Sequence, residues 1–202
     1  QINLAIAGIA IGIIILPNLS RYVKIKNKIK LEILQNKSLE LSLFLSLPAT
    51  LALIIASEEI VSALFGYGSF NEESVKNSAL ALFYFALGLP AFSMIKIFSS
   101  FIFARNDTKT PFYFSLISVI LNIVISVSLF SKIGFIIIPI ATTISSWLNG
   151  FLLMVFALNK NYFNFNNSFF IQLFKISISN LICLGLFKIL LDSKSFIFPS
   201  NC

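Results

Sequence analysis

The stretch FARNDTKTPFY, residues 103–113, separates two long apolar runs and decides how the rest of the chain is interpreted. The run before it covers residues 79–103, and the run after it covers residues 112–130. Each run approaches or exceeds the roughly 20 residues that a helix needs to cross the hydrocarbon core of a bilayer. Two spans joined by so short a polar segment run in opposite directions. The stretch is therefore predicted to be a hairpin at a membrane surface.

The residues of this hairpin have distinct local roles. Thr110 is suited to accept backbone N–H groups as an N-cap, and Pro111 suits the first position of the helix that follows. Asp107 can accept hydrogen bonds from the turn backbone, or pair with Arg105 or Lys109. Both cations can also reach anionic headgroups. We assign Arg105, Asp107, Thr110 and Pro111 to the structure and gating of this hairpin.

Four more apolar runs lie at residues 2–19, 39–56, 134–158 and 169–191. Of the 202 residues, 57% are hydrophobic and 11% are charged, against roughly 45–50% and about 25% in soluble domains. Backbone groups in lipid must pair within their own segment, so the runs are predicted to be helices. The predicted fold class is an all-α integral membrane protein with six transmembrane helices in one bundle, residues 1–191. We expect the chain to be a fragment, because it begins with Gln1, and the tail 192–202 to precede a further helix.

Lysine and arginine are distributed unevenly between the connecting segments. The segments after the first, third and fifth spans hold nine: Arg21, Lys24, Lys26, Lys28, Lys30, Lys37, Arg105, Lys109 and Lys160. The segments on the other side hold three: Lys76, Lys132 and Lys194. The positive-inside rule makes the first set cytoplasmic, so the first span is predicted to run from outside to inside. An odd number of spans would then precede it.

The connecting segments carry two further signals. RYVKIKNKIKLEILQNK, residues 21–37, alternates basic and apolar residues, which is typical of a cationic segment lying on the inner leaflet. We predict that it binds anionic phospholipid. The net charge of +7 is interpreted in the same way, because a chain this apolar favours a lipid surface over nucleic acid. On the opposite side, Asn71 is predicted to cap a helix whose first turn holds Glu72 and Glu73.

The residue types that most catalytic and metal sites need are scarce. The sequence has no histidine and two cysteines, Cys183 in an apolar run and Cys202 in the tail. All eight acids fall in linkers or at span ends. This composition excludes histidine-based acid–base chemistry, and it offers no pattern for a zinc site, a disulfide framework or an acidic proton relay. We therefore predict that the protein is not an enzyme.

Lys96 lies well inside the span at 79–103, among bulky apolar neighbours. A charged residue at a helix centre costs about 2.5–3.5 kcal/mol on insertion, and such residues usually face a bundle interior or a water-filled cavity. Snorkelling to the inner surface is the alternative, because the span ends at Phe103. A cation in a cavity suits an anionic substrate such as a pyrophosphate.

Prolines and polar residues mark several spans, and Pro90 shares its span with Lys96. Pro48 and Pro90 each free a backbone carbonyl, and broken helices in transporters mark sites or hinges, although packing kinks explain them equally well. We assign Asn149, together with Lys96, to substrate binding. Interhelical hydrogen bonding is the alternative for the polar residues within spans, which include Asn122, Ser126, Thr142 and Asn149.

Several of these elements together resemble one family. LPNLSR at 16–21, LFGYGSF at 64–70, ALGLPAFSMIK at 86–96 and FARNDTKTP at 103–111 are similar, in order and spacing, to motifs of the MurJ/MviN lipid II flippases. The resemblance covers most of the chain, and the last motif is the most specific. It implies fourteen helices in two inverted lobes, as in the MATE-like exporter superfamily. This chain would supply helices eight to thirteen, most of the C-terminal lobe.

The resemblance also implies a function in peptidoglycan synthesis, and so in cell-wall biogenesis and cell shape. Lipid II, the undecaprenyl-pyrophosphate-linked precursor, would move from the inner to the outer leaflet of the bacterial inner membrane by alternating access. No bond would be made or broken, and no cofactor is expected. Lys96 would contribute a cation to the central cavity, and the protein would act as a monomer.

Some members of this family hold sodium, and Asn122 and Thr142 match two of their side-chain ligand positions. Ser126 stands where those members have an acid. A hard cation needs oxygen ligands and negative charge. The sequence therefore predicts a weak sodium site at Asn122 and Thr142 or none, and coupling to sodium or to the membrane potential stays open.

Two other interpretations stay open at this point. The chain could belong to another exporter of the same superfamily, one that carries drugs or a different lipid-linked sugar. It could instead belong to a structural membrane protein with no transport path. That last interpretation predicts a lipid-facing or snorkelled Lys96 and no polar groove among the helices.

Overall fold

The computed structural model describes residues 10–67 and 71–197 of the chain. Within these ranges the chain forms helices and no strand. The α-helices are α1 (Ile11–Lys24), α2 (Lys28–Ile55), α3 (Ser57–Phe65), α4 (Glu72–Phe103), α5 (Lys109–Ile133), α6 (Ile137–Asn159) and α7 (Asn167–Ile197), and one 3₁₀ turn, Gly134–Ile136, joins α5 to α6.

Four helical stretches of the described residues are long and apolar enough to cross a membrane: 28–55, 72–103, 109–159 and 167–186. The third of these contains both α5 and α6, so five helices qualify. The sixth, α1, is described from Ile11 onward. The prediction of an all-α, multi-pass membrane protein is confirmed, and α1 with these five helices fits the predicted number of six, although part of the first predicted span, 2–19, lies outside the described residues.

The long helices pack in a row, in the order α7, α2, α4, α6 and α5, and α1 fills the corner between α2 and α4. This order makes α4 the centre of the bundle. The core lies near the end of α4, where Phe98 and Phe101 meet Phe163 from the segment 160–166 with ring centroids 5.5 Å apart. These aromatic contacts join the end of α4 to the segment between α6 and α7, on the side that the charge count predicts to be cytoplasmic.

Two helices begin earlier than the apolar runs predicted. Asn71 caps α4 as expected, with its Oδ1 accepting from Ser74 N at 2.9 Å, but the helix then continues without a break from Glu72. Helix α2 begins at Lys28, where Asn27 caps it, and Leu31 and Gln35 of its first turns are buried. The prediction that 21–37 forms a separate surface segment is therefore wrong. Its two halves belong to α1 and α2, and hydrogen bonds from Gln35 Nε2 to Tyr162 O and from Asn36 Nδ2 to Asn164 O hold the first turns of α2 to the segment 160–166.

The hairpin between α4 and α5 also differs from its prediction. Helix α5 begins at Lys109, and Asp107 supplies the cap: its Oδ1 accepts from Thr110 N at 3.0 Å and its Oδ2 from Thr110 Oγ1 at 2.7 Å. The prediction that Thr110 is the N-cap and Pro111 the first helical residue is therefore wrong by two positions. A carboxylate is the stronger acceptor, so the threonine hydroxyl donates to it.

Helices α1 and α6 both end in a Schellman motif. Lys26 N donates to Val23 O and Asn27 N to Tyr22 O at the end of α1. At the end of α6, Asn161 N donates to Leu158 O and Tyr162 N to Ala157 O. The motif places its C′ residue in the left-handed region, with φ of 53° at Lys26 and 54° at Asn161. Both residues thereby line one pocket, described below, on the side that the charge count predicts to be cytoplasmic.

The seam between α4 and α6 is close because small residues line it. A Cβ on Gly88 would lie 3.2 Å from Thr143 Oγ1, and Thr143 Oγ1 itself donates to Tyr84 O at 2.6 Å. One turn further on, Trp147 Nε1 donates to Leu87 O at 3.1 Å. These two hydrogen bonds join α6 to carbonyl groups of α4 in the two turns before Pro90, so the two helices are held together there.

Candidate functional site

A groove of about 640 Å³ lies between α1, α4 and the start of α5. It exists because α5 packs against α6 and makes little contact with α4. Residues of all three helices and of the α4–α5 hairpin line it: Gly12, Ile13, Leu16, Ile95, Lys96, Ser99, Ser100, Phe103, Thr108, Pro111, Phe112 and Ser115.

Lys96 lies on the wall of this groove. The opposite face of α4 carries Ile97, Phe98 and Phe101, which are buried in the core and thereby fix the rotation of the helix. Lys96 is exposed as a result, together with the half-buried Ser99 one turn on. The lysine therefore presents its charge to an open space between helices.

The floor of the groove is a close approach of α1 to α4. A Cβ on Gly12 would lie 3.0 Å from Ser100 Oγ, and the same hydroxyl donates to Lys96 O at 2.9 Å and, more weakly, to Gly12 O at 3.4 Å. Glycine at position 12 is what permits this contact. The part of α4 that carries Lys96 is thereby packed directly against α1.

Asn149 does not line the groove, in contrast to its assignment from sequence as a substrate-binding residue. It is 6% exposed on α6, and its Nδ2 donates to Ser115 Oγ at 3.4 Å. Ser115 does line the groove. Because Ser115 Oγ accepts from Asn149, its own proton is left to donate toward the groove. Asn149 Oδ1 is buried and has no hydrogen-bond partner among the described residues.

The hairpin residues divide between two places. Pro111 lines the groove, and Asp107 and Thr110 hold the turn beside it. Arg105 points away: its Nη1 donates to Phe101 O at 2.7 Å, its Nη2 donates to Tyr162 O at 2.6 Å, and it lies 4.4 Å from the centroid of the Tyr162 ring. Burial lowers the pKa of Arg105, while the charge of Tyr162 acts in the opposite direction. Arg105 therefore belongs to a different site.

Asn122 and Thr142 lie together, as the sodium prediction requires, but their polar atoms bond to each other. Asn122 Nδ2 donates to Thr142 Oγ1 at 3.0 Å, and Asn122 Oδ1 accepts from Ser126 Oγ at 3.3 Å. Thr142 Oγ1 donates in turn to Ile138 O at 2.8 Å. A sodium ion would need these oxygens turned inward, and no carboxylate joins this set among the described residues. The arrangement fits an interhelical polar ladder and does not fit a sodium ion.

The two assigned prolines do not break their helices. Pro48 lies inside α2 and Pro90 inside α4, and each helix continues past its proline. Pro48 is exposed beside a small apolar cavity between α2 and α7, whereas Pro90 is buried in the bundle. A hinge at either position stays a prediction, and the bonds that brace α4 around Tyr84 and Leu87 oppose free bending at Pro90.

A family model described as "Lipid II flippase MurJ" matches residues 1–197 of this chain. The chain belongs to the MurJ family. Its motifs at 16–21, 86–96 and 103–111 had already indicated this family, and the match confirms that interpretation.

Named MurJ relatives are similar to the chain over most of its length. A probable lipid II flippase MurJ from Rhizobium meliloti is 41% identical over 153 residues, which are 76% of this chain and 29% of the relative. The corresponding protein of Thermotoga maritima is 37% identical over 141 residues, 70% of this chain and 28% of the relative. The chain thus spans about 29% of the length of the curated MurJ relatives it matches first.

A solved structure supports the fold independently. The structure titled "Lipid II flippase MurJ, inward closed conformation" superposes with a TM-score of 0.79 at 23% identity, over 93% of this chain and 38% of that chain. At this identity the similarity concerns the fold alone. The helices of the present chain therefore have the arrangement of part of a MurJ protein.

Sequence reasoning found Lys96 but missed the hydroxyl groups beside it. Ser99, Ser100 and Ser115 line the groove, and none was singled out, because serines are common packing residues in membrane helices. The sequence did contain a signal for Ser100. Gly12 allows a neighbouring helix to approach closely, and that neighbour must carry a small residue at the contact. Which neighbour it would be could not be known before the helices were packed.

Proposed function

We propose that this chain forms most of one lobe of a lipid II flippase in the bacterial inner membrane. The protein would be a transporter rather than an enzyme, moving undecaprenyl-pyrophosphate-linked peptidoglycan precursor from the inner to the outer leaflet. The whole protein would have two inverted lobes of seven helices, with this lobe contributing one wall of the transport path. It would act as a monomer, and the basic residues of 21–37 would contact anionic phospholipid.

The observation that carries this proposal is the exposed Lys96 on the wall of the groove between α1, α4 and α5. None of the described residues that line the groove is acidic, so the lysine charge is not cancelled there. An ammonium group and several hydroxyl donors suit the oxygens of a pyrophosphate. The lining also includes Ile13, Leu16 and Phe112, which suit the adjoining lipid.

Each lining group has a definite task in this proposal. Lys96 attracts and holds the pyrophosphate, and Ser99 and Ser115 donate hydrogen bonds to its oxygens. Asn149 acts as a positioning residue, because it holds Ser115 Oγ at 3.4 Å and turns its proton toward the groove. No step depends on a bound sodium ion, since Asn122 and Thr142 use their polar atoms on each other.

The test uses the full-length protein in a bacterium depleted of its own flippase. Lipid II accessible on the outer leaflet is measured for the wild type, Lys96→Ala, Lys96→Arg and the control Lys175→Ala. Lys175 is an exposed lysine on α7 that does not line the groove. The wild type and Lys175→Ala are expected to restore exposure, Lys96→Arg to restore it partly, and Lys96→Ala to lose at least about tenfold. An ionic hydrogen bond of about 1.5–3 kcal/mol supports that size.

The outcomes separate the site from the function. If the wild type restores exposure and both Lys96 variants do so equally well, the flippase assignment stands and the groove is not the anion site. If a well-expressed wild type does not restore exposure, another exporter of the superfamily becomes the better assignment. The alternative of a structural membrane protein predicted no polar groove among the helices and a Lys96 that faces lipid or snorkels. The groove that Lys96 lines therefore disfavours this alternative.

A further inference from the structure

A second pocket, of about 480 Å³, lies at the basic end of the bundle and does not share residues with the Lys96 groove. It is built from the end of α1, the turn between α1 and α2, the first turns of α2, the hairpin that follows α4 and the segment 160–166. Three cations line it: Lys26, Lys28 and Arg105. Tyr22 and Tyr162 add phenol groups, and Glu32 is the single acid among its described lining residues.

Arg105 is the fixed element of this pocket. Two of its N–H groups donate to Phe101 O and Tyr162 O, and its guanidinium lies over the Tyr162 ring. Gln35 Nε2 donates to the same Tyr162 carbonyl at 2.9 Å, so the stacked tyrosine is held from both sides. A guanidinium has five N–H donors, so three remain unused by the described protein groups. Burial without a paired acid is costly for a cation, and an anion from outside would relieve that cost.

The charges around Arg105 leave the pocket net positive. Glu32 is exposed, and its Oε1 accepts from Asn164 Nδ2 at 3.5 Å. No ion pair joins Glu32 to Arg105, Lys26 or Lys28 in the described part of the chain. Lys26 is held at its place by the Schellman turn, with φ of 53°, a conformation in which lysine is uncommon. Three cations against one acid therefore face a space large enough for a small anion.

We propose that this pocket binds the phosphate group of an anionic lipid headgroup, with Arg105 as the bidentate donor and Lys26 and Lys28 as flanking charges. A planar guanidinium with adjacent free N–H groups matches two phosphate oxygens, and mobile lysines add charge around it. The pocket lies on the side that carries most lysines and arginines, where anionic lipid is enriched. The bound headgroup would tie the α1–α2 turn to α4 and to the segment 160–166. This site rests on the proposed contact of residues 21–37 with anionic phospholipid and makes it specific. It can be tested apart from transport, because none of its residues lines the Lys96 groove.

The experiment measures thermal unfolding of the purified full-length protein in an uncharged detergent. Short-chain phosphatidylglycerol, short-chain phosphatidylcholine and inorganic phosphate are titrated separately, because a ligand that binds the folded state raises the melting temperature. The pocket variant is the double change Lys26→Gln and Lys28→Gln. Its matched control is Lys24→Gln with Lys30→Gln, which removes the same charge from two exposed neighbours outside the pocket.

We expect phosphatidylglycerol to stabilise the wild type more than phosphatidylcholine does. The pocket variant should bind phosphatidylglycerol at least about tenfold more weakly, and the control at most about threefold more weakly. If inorganic phosphate stabilises the wild type as well as phosphatidylglycerol and fails with the pocket variant, the site takes a soluble phosphate instead of a lipid. Equal losses in the two double variants, or no preference for phosphatidylglycerol and no phosphate binding, would overturn the proposal. Should the double variant not purify, Lys26→Gln and Lys28→Gln alone are compared with Lys24→Gln.

Discussion

At the scale of single residues, the hairpin between α4 and α5 depends on one carboxylate. Asp107 accepts from the backbone and the hydroxyl of Thr110, and so caps α5 beside the groove. Its partial burial raises the pKa of the Asp107 carboxyl, but bonds from Thr110 and Lys109 and the Lys109 charge lower it by more, so the net pKa lies below the ordinary 3.8. The folded protein therefore favours the carboxylate form.

Replacing this cap should cost stability in a pH-dependent way. Asp107→Ala is expected to lose about 1 kcal/mol of unfolding free energy near neutral pH, the usual value of a side-chain cap. Because the folded pKa is depressed, the stabilisation is present above pH 3.8 and is lost as the pH falls through the lowered pKa. The difference from wild type should thus shrink in acid. Asp107→Asn, which keeps an acceptor oxygen, is the control, and thermal unfolding across the pH range is the measurement. An Asp107→Ala variant that melts like the wild type at pH 7 would contradict the capping role.

At the scale of elements, two helix pairs are joined by different means. Helices α4 and α6 approach closely at Gly88, and the side chains of Thr143 and Trp147 on α6 donate hydrogen bonds to backbone carbonyl groups of α4. Helices α5 and α6 are joined by a polar ladder that includes Asn122 and Thr142. Hydrogen bonds between membrane helices are worth about 0.6 kcal/mol each, so each of these bonds contributes modestly to holding its helix pair together.

The close seam predicts a difference between two glycines. A Cβ at Gly88 would meet Phe92 at 3.0 Å and Thr143 Oγ1 at 3.2 Å, whereas a Cβ at Gly150 would lie 3.6 Å from Ala91 O, an ordinary contact. Gly88→Ala should therefore lower the melting temperature relative to Gly150→Ala, with an overpacking cost of about 1–3 kcal/mol. Gly150→Ala should be neutral or slightly stabilising. Thermal unfolding of both variants in one detergent decides this, and equal melting temperatures would show that α4 and α6 are less constrained than the structure indicates.

The polar ladder between α5 and α6 predicts that sodium does not change the stability of the protein. Exchanging sodium for potassium should leave the melting temperature of the wild type unchanged, since the side-chain oxygens of Asn122 and Thr142 are used in hydrogen bonds within the protein. Asn122→Ala should lose about 1.2 kcal/mol in either salt, because it removes two interhelical hydrogen bonds, to Thr142 Oγ1 and Ser145 Oγ. A wild type stabilised by sodium, with the gain abolished in Asn122→Ala, would restore the sodium site.

At the scale of the whole molecule, the groove is a gap left by the packing order. Helix α5 is held by α6, and α6 by α4, so α5 borders the groove without closing it. Leu16 on α1 and Phe112 on α5 line it from different helices. If transport requires this gap to change shape, fixing its two walls together should stop transport while leaving the fold intact.

Cross-linking tests this directly in the full-length protein. With every native cysteine of the full-length protein, Cys183 and Cys202 among them, replaced by serine, Leu16→Cys and Phe112→Cys are joined by a bifunctional thiol reagent, and exposure of lipid II is measured. Exposure is expected to fall at least about tenfold after cross-linking and to be normal before it. The control pair, Leu51→Cys with Leu184→Cys, lines a cavity between α2 and α7, which lies apart from the groove. Cross-linked protein that still transports at the wild-type rate would mean that this gap is static.

The sequence by itself determined the helical spans, the hairpin at 103–113 and the family, because each depends on local features: run length, turn residues and short motifs. It also singled out Lys96, since a charge within an apolar span is conspicuous in one dimension. Only the tertiary structure decided which partners the other polar residues have. Asn149 is buried against Ser115, Arg105 turns to Tyr162, and Asp107 takes the capping role expected of Thr110. The physical reason is that a helix that is apolar on every side gives no sequence signal for its inward face. The docking of α1, α4, α5 and α6 assigns that face, and it leaves the groove where α4 and α5 fail to meet.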